Sequence, residues 1–412
     1  MITQFFSNPT ALRHLHVDPL CSYIAGYAVR LSEEGYATAT AREHIRLIAA
    51  LSDWLDRRRL GADDVSEQTI ARFLKYRRRR GQVRRGDAAA LRAFLTMMRE
   101  VGATPALAPA VDASEIDRIE QRFARHLAEE RGLAPATLRN YLPTARHFLS
   151  ERFGRGPLKI EVLSPKDVSR FILRHAPAMS PRRAQLVATA LRSFLRFLYR
   201  HGDTATDLAA SVPAVADWRL SHLPKYLEAA QVESLLRHCD QSHPTCQRDY
   251  AVLLLMGRLG LRAGEVVAMR LDDLDWEAGE LMVRGKGARR ERLPLPRDIG
   301  EALASYLRHT RPDCATRQVF VRMKAPRRGF ASSVAICSIV RRALKRAGLN
   351  PWFKGAHLLR HSLATQMLRQ GASLAEIGEV LRHRLPNTTQ IYAKVDHRLL
   401  RALAQPWPGD VP

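Results

Sequence analysis

Three helix-like blocks occur twice, in the same order, within the first 202 residues. "EEGYATATAREHIRLIAALSDWL" (33–55) matches "EERGLAPATLRNYLPTARHFL" (129–149), with Gly35 and Gly132, Thr40 and Thr137, Arg42 and Arg139 at a constant offset of 97. "VSEQTIARFL" (65–74) then matches "LSPKDVSRFI" (163–172) at offset 98, and "LRAFLTMM" (91–98) matches "LRSFLRFL" (191–198) at offset 100. Chance likeness between amphipathic helices does not keep its offsets in order. The pattern therefore predicts a duplicated helical domain, with matching cores over roughly 15–104 and 113–202. A single duplication is not a solenoid, which needs about three stacked units. The expected division is an N-terminal helical domain at 1–104, its repeat at 105–202, a linker at 203–224 with two prolines and little periodicity, and a C-terminal domain at 225–412.

The repeats carry arginines opposite their apolar positions, and the whole chain shares that bias. Lys+Arg number 66 against 41 Asp+Glu, a formal charge of +25 over 412 residues. Such an excess favours a polyanionic partner, nucleic acid ahead of an anionic membrane surface. "KYRRRRGQVRR" (75–85) is the densest basic run. A run of this kind is ordinarily a solvated face, and beside so large a total it is equally a candidate for phosphate contact. No segment approaches the ~18 consecutive apolar residues of a membrane span; the best run, "YAVLLLMGRLGL" (250–261), is broken by Arg258. The first residues lack the basic-then-apolar order of a secretory signal. Five scattered cysteines fit a reducing cytoplasm, and a nucleic-acid partner there would make the expected place of work the bacterial nucleoid. "HCDQSHPTC" (238–246) lacks the paired short spacings of structural zinc and reads as a loop between helices. No metal or cofactor is expected.

After the linker the chain changes character. "DDLDWEAGELMVRGKGARRERLPLP" (272–296) alternates around a Gly-Lys-Gly turn and reads as a small antiparallel sheet. Helical patterns return from 332 to 394. The expected fold class is mainly α: two helical domains, then a mixed α+β domain with a small antiparallel sheet.

Within that last domain, "HLLRHSLATQ" (357–366) places His357, Arg360 and His361 three and four residues apart in an apolar, helix-like stretch, so these side chains converge on one face. Either they are satisfied structural groups, or together they grip an anion. "GLRAGE" (260–265) sets Arg262 three residues before Glu265, Lys286 sits at the hairpin tip, and "VLRHRLPNTTQIY" (380–392) carries His383 nine residues before Tyr392. Taken singly each has an ordinary explanation: a surface ion pair, a hairpin turn, a core histidine, a packed tyrosine.

Taken in order, these boxes resemble the tyrosine recombinase (phage integrase) family: Gly-Leu-Arg-x-Gly-Glu, Gly-Lys-Gly, His-x-x-Arg-His, then a His nine residues before a Tyr. The resemblance spans the C-terminal half, and the second helical unit is similar to the family's core-binding domain. It implies that Tyr392 is the nucleophile, that Arg262 and Arg360 clamp the non-bridging phosphate oxygens as planar, permanently charged forks, and that charge is neutralised as the pentavalent transition state forms. His357 is the implied general base or hydrogen-bond donor, Lys286 the implied acid for the departing 5′ oxygen, and His383 a donor to a non-bridging oxygen. Glu265 is expected to orient Arg262 or tune His357, and His361 to be supportive rather than catalytic. Where the family often has Leu-Gly-His, this chain has Arg382 in place of the small residue.

The implied activity is site-specific recombination of double-stranded DNA through a covalent 3′-phosphotyrosyl link, without ATP or metal, by four protomers on two DNA sites, with related recombinases or accessory proteins as further partners and no membrane. The tail after Tyr392 is expected to dock on a neighbour through Leu399, Leu400 and Leu403. The extra N-terminal unit is a second DNA grip, a domain for separate arm sites, or a protein interface. Two rival readings are a DNA-binding accessory protein without cleavage and a relaxing type IB topoisomerase.

Overall fold

The computed structural model describes residues 5–6, 18–105, 114–154, 156–216, 224–239, 241–285, 289–383 and 385–395. They fall into two compact units, one drawing on 1–105 and 222–412, the other on 106–221.

Helices α1 (Cys21–Glu33), α2 (Thr38–Asp56), α3 (Glu67–Arg79) and α4 (Asp87–Glu100) open the first unit. Their apolar stripes close on a cluster of their own that includes Ile24, Tyr27, Ile48, Trp54, Phe73 and Phe94. Helix α3 illustrates the local logic. The Ser66 hydroxyl accepts the Thr69 N–H at its start, Glu67 lies in the first turn and Arg77, Arg78 and Arg79 in the last, each sign set against the matching end of the helix dipole. The cluster is tied to the C-terminal part of this unit where the Arg327 N–H donates to the Glu34 carbonyl at 2.8 Å.

The second unit contains α5 (Glu115–Arg125, running into one wide turn at His126–Glu130), α6 (Pro135–Phe153), α7 (Pro165–His175) and α8 (Pro181–Arg200). Three of these begin on proline, whose missing N–H costs nothing at a helix start. Ser114 and Asp117 cap α5 reciprocally, as Ser164 and Asp167 cap α7. Phe123, Phe148, Phe194 and Phe197 fill the centre. Part of the stretch expected as linker is packed here: Leu208, Ala209 and Val212 are buried in this cluster, and Arg192 donates to the Val212 and Pro213 carbonyls at 3.0 Å.

The C-terminal part of the first unit is built around α10 (Pro244–Arg258), preceded by α9 (Ala229–Arg237). The apolar run before Arg258 is the C-terminal half of α10: residues from Ala251 to Met256 are at most 1% exposed, as a stretch apolar on every side must be in a core. A short helix α11 (Ala263–Ala268) leads to strands β1 (Leu274–Asp275), β2 (Glu280–Arg284) and β3 (Arg290–Pro294), an antiparallel sheet in the order β1-β2-β3. Leu281 pairs with Leu274 on one side and Leu293 on the other, and buried Leu281 and Val283 turn the sheet's inner face to the core. Then follow α12 (Arg297–Ser305), α13 (Val334–Arg346), α14 (His357–Arg369), α15 (Leu374–Val380) and a terminal 3-10 turn at Gln390–Val395. Mainly helical, with one small antiparallel sheet, this is the fold class the sequence predicts. No helix among the described residues is long and apolar enough to cross a membrane.

Candidate active site

Helix α14 carries the centre of the site. It is buried on nearly every side, with Leu358, Leu359, Arg360, Ser362, Ala364, Thr365 and Leu368 all covered. The Ser362 hydroxyl fixes it in place, donating to the Leu358 carbonyl at 2.9 Å and accepting the Leu227 N–H at 2.8 Å. Arg360, 4% exposed, spends its guanidinium on two main-chain carbonyls, those of Gly260 and Leu381. One side chain thus staples the turn before α11 to the turn after α15. Gly260 makes the approach possible. Its φ is +58°, and a Cβ there would stand 2.6 Å from a Leu381 methyl, so only glycine suits both the backbone and the space.

Two residues beyond that glycine, Arg262 precedes the first turn of α11. Glu265 reaches back to it, accepting the Arg262 N–H at 2.8 Å and its Nη1 at 2.6 Å, while Arg262 Nη2 donates to the Arg382 carbonyl at 3.0 Å. Glu265 is 6% exposed and also accepts from Arg382 Nη2 at 3.1 Å. Burial pushes the Glu265 carboxyl up, but the hydrogen bonds from Arg262 and the charges of Arg382 and Arg262 outweigh it and hold the group below its usual range. Burial, with the nearby charges of Arg262 and Arg382, brings Arg360 down to about 10. Arg262 and Arg382 therefore share the Glu265 carboxylate, while Arg360 beside them is bonded to main-chain carbonyls and has no carboxylate partner among these contacts.

Tyr392 closes the site from the terminal 3-10 turn. It is 1% exposed, and its hydroxyl lies 2.8 Å from His361 Nδ1. Burial pushes the phenol up to about 12, against the opposing pull of Arg360. His361 is brought down to about 4 by burial, helped by His357 and Arg360, so its imidazole is neutral near pH 7. His383 lies beside the same ring, centroids 6.5 Å apart and nearly parallel. Its Nδ1 is 2.7 Å from the Thr389 hydroxyl, and burial together with Arg360, Arg262, His361 and Arg382 brings it to about 4 as well.

The structure thus gathers Arg262, Glu265, Arg360, His361, His383 and Tyr392. His357 begins α14 and is exposed, its ring 6.3 Å from that of His361. Lys286, and the tail leucines Leu399, Leu400 and Leu403, lie outside the described residues; the hairpin is described up to the Gly285 N–H donating to the Arg289 carbonyl at 2.8 Å. Two neighbours add what the motifs did not single out for the site: Thr389, which orients His383, and the side chain of Arg382. Among the described residues, two groups have metal-ligand spacing, His126/Glu130/His201 and His147/Glu151/His175, with ligand atoms within 4.8 Å of one another. Both lie in the second unit, and in each the glutamate already meets a histidine ring nitrogen, at 2.7 Å for Glu130 and His126 and 2.5 Å for Glu151 and His175.

A cationic pocket around a buried phenol is the kind of place where a phosphodiester is attacked, and likeness to known proteins points the same way. Residues 225–398 match the model of the phage integrase family, and residues 121–202 match that of the phage integrase N-terminal SAM-like domain. The integrase/recombinase y4rA of Sinorhizobium fredii (strain NBRC 101917 / NGR234) is 45% identical over 396 residues, covering 95% of both chains. The tyrosine recombinase XerD of Mycobacterium tuberculosis (strain ATCC 25618 / H37Rv) is 33% identical over 309 residues, 71% of this chain and 96% of that one. In fold, the chain is similar to the XerH site-specific recombinase in its post-cleavage complex on palindromic difH, with a TM-score of 0.57 at 19% identity over 82% of this chain and 94% of that one. The chain belongs to the phage integrase family, the tyrosine recombinases.

Proposed function

We propose that this recombinase binds duplex DNA as a multimer and cuts one strand at each specific site through Tyr392. The Tyr392 oxygen forms a bond to phosphorus, the bond from phosphorus to the 5′ oxygen breaks, and the leaving oxygen takes a proton from Lys286. The resulting 3′-phosphotyrosyl ester conserves the bond energy, so rejoining by a 5′ hydroxyl requires no external energy source. Arg262 and Arg360 are the clamp on the non-bridging oxygens, His383 donates to one of them, and His357 is the base or donor beside them. Glu265 orients Arg262.

The observation that carries this reading is the enclosure of one phenol by Arg360, His361 and His383. Held at about 12, the phenol keeps its proton at rest and must release it as the new bond forms. The neutral His361, 2.8 Å away, is the nearest acceptor, which gives a residue expected to be merely supportive a part in seating or deprotonating the nucleophile. With the phenol only 1% exposed, the terminal turn has to shift before phosphorus can reach it, so DNA or a neighbouring protomer triggers the reaction.

The first helical unit, with four helices in the order of the second, is read as a repeat of it and as a second grip on DNA. Arg46, Arg77, Arg84 and Arg85 line a cavity of about 710 Å³ in it, together with Glu43 and Asp87, a surface suited to backbone phosphates rather than to bases. The deciding experiment offers the protein a nicked suicide substrate carrying its own recombination site. Denaturing electrophoresis and peptide mass mapping are expected to find DNA on Tyr392. Specific binding without any adduct would favour an accessory DNA-binding role, and relaxation of supercoils without exchange between sites would favour a topoisomerase.

A further inference from the structure

We infer that Arg382 is a positioning residue for the cleavage reaction, holding Arg262 in place through both its main chain and its side chain. This rests on the recombinase reading above. Arg382 has a φ of +55°, a region that side-chain-bearing residues seldom occupy and glycine enters freely. Yet the side chain is not a passenger in that turn. It folds back until it is only 6% exposed, with Nη2 3.1 Å from Glu265 Oε2 and Nε 3.8 Å from a carboxylate oxygen of Glu291. Glu291 lies on β3, the strand that returns from the hairpin tip.

The consequence is a closed circuit. Arg262 donates to Glu265, Glu265 accepts from Arg382, and the Arg382 carbonyl accepts from Arg262. A guanidinium meant to meet a phosphate must be held without being neutralised by a carboxylate of its own. Here Glu265 is divided between Arg262 and Arg382, so the Arg262 fork is fixed in direction without a carboxylate of its own. A glycine in the same turn would keep the carbonyl contact and lose the side-chain limb. The limb to Glu291 also joins this turn, and with it His383, to the hairpin that bears Lys286. Fixing the fork in advance is what lowers the cost of reaching the transition state.

Arg382→Gly separates these roles, because glycine accepts the turn's φ and the fold is retained. Two readouts are taken on the full-length protein. Phenylglyoxal labelling mapped by mass spectrometry reports how firmly Arg262 is held, with exposed Arg84 as the internal control. Adduct formation on the suicide substrate reports cleavage, alongside DNA affinity. Labelling of Arg262 is expected to rise about threefold or more, and the cleavage rate to fall at least about tenfold with affinity within about twofold, since a small misplacement costs rate rather than binding. Arg382→Lys keeps the charge without the fork and is expected to recover part of the rate. Unchanged labelling of Arg262, or raised labelling with cleavage at the wild-type rate, would overturn the inference. If the unmodified protein forms no adduct at all, the recombinase reading fails, while the labelling still decides whether Arg382 holds Arg262.

Discussion

Arginine is used in opposite ways in the first helical unit and in the active site. In the first it lies outside and pairs across the surface: Arg84, in the loop before α4, meets Glu43 at 2.7 Å with side chains 71% and 58% exposed. In the site Arg360 and the Arg382 side chain are inside, and Arg262 is half-buried. Arg360 is 4% exposed and bonded to main-chain carbonyls, and Arg382 shares one buried carboxylate with Arg262. The exposed arrangement is screened by salt and weak per pair. The buried one is costly to build and strong in one direction only. Diffuse attraction to a long polyanion suits the first; stabilising charge on one phosphate needs the second.

The largest effect is expected from Tyr392, the proposed nucleophile. Tyr392→Phe keeps the ring that packs beside His383 and removes only the hydroxyl bonded to His361. Adduct formation should fall by roughly 10⁴-fold or more, with DNA binding retained in a mobility-shift assay. A surviving adduct would move the chemistry to another side chain and end the contrast at its root.

Next in size is Arg360→Met, which fills similar space without charge. The Gly260 and Leu381 carbonyls lose their donor, at about 1–3 kcal/mol for each buried acceptor left unpaired, read from the shift of a denaturant midpoint. Cleavage is expected to fall about 10²- to 10³-fold for loss of an electrostatic donor at the reacting centre. A variant as stable as the parent would show that Arg360 serves the phosphate alone.

These two residues stood out because they sit in spaced boxes whose order is hard to reach by chance, and the blocks with ordered offsets fall on helices α2 to α4 and α6 to α8. Other features did not stand out. His357 and His361 share a helix face, and periodicity does not say which of them meets Tyr392; that is set by how the turn at 390–395 packs against α14. The motif marked Arg382 as a departure from a small residue, but not that its side chain would fold back onto Glu265, because a backbone angle of +55° leaves no trace in composition. Thr389 gave no signal, since a threonine ahead of a tyrosine has many uses. The linker reading from 203 failed to register Leu208, Ala209 and Val212 because three apolar residues are too few to show a period, and enough to bury.

Acid should distinguish the two regions by a smaller margin. His361 and His383 are each brought to about 4 in the folded chain, against about 6.5 when unfolded. Between those values the unfolded state binds more protons, so the stability these groups provide is complete above about pH 6.5 and is lost as the pH falls toward about 4. Urea midpoints measured at pH 7, 5.5 and 4.5 should decline over this window. His383→Asn, which still meets the Thr389 hydroxyl, should flatten part of the decline, and an equal slope in parent and variant would place the acid sensitivity elsewhere.

The smallest effect on the folded chain is expected where the exposed arginines are. Arg84→Ala breaks the pair with Glu43 and should change stability by no more than about 0.5 kcal/mol. Its effect should appear instead in binding. If Arg84 neutralises one phosphate, the slope of log K against log salt loses about 0.9, while the cleavage rate of DNA already bound stays at the parent value. Arg360→Met should do the reverse, lowering the rate at saturating DNA and leaving the slope nearly intact. An Arg84 variant whose slope is unchanged would remove the DNA role from this face of the first unit, and its arginines would then be no more than the partners of Glu43 and Asp87. The two substitutions together therefore test whether the charge of this chain is divided by depth, with the surface setting how strongly DNA is held and the buried site setting what is done to it.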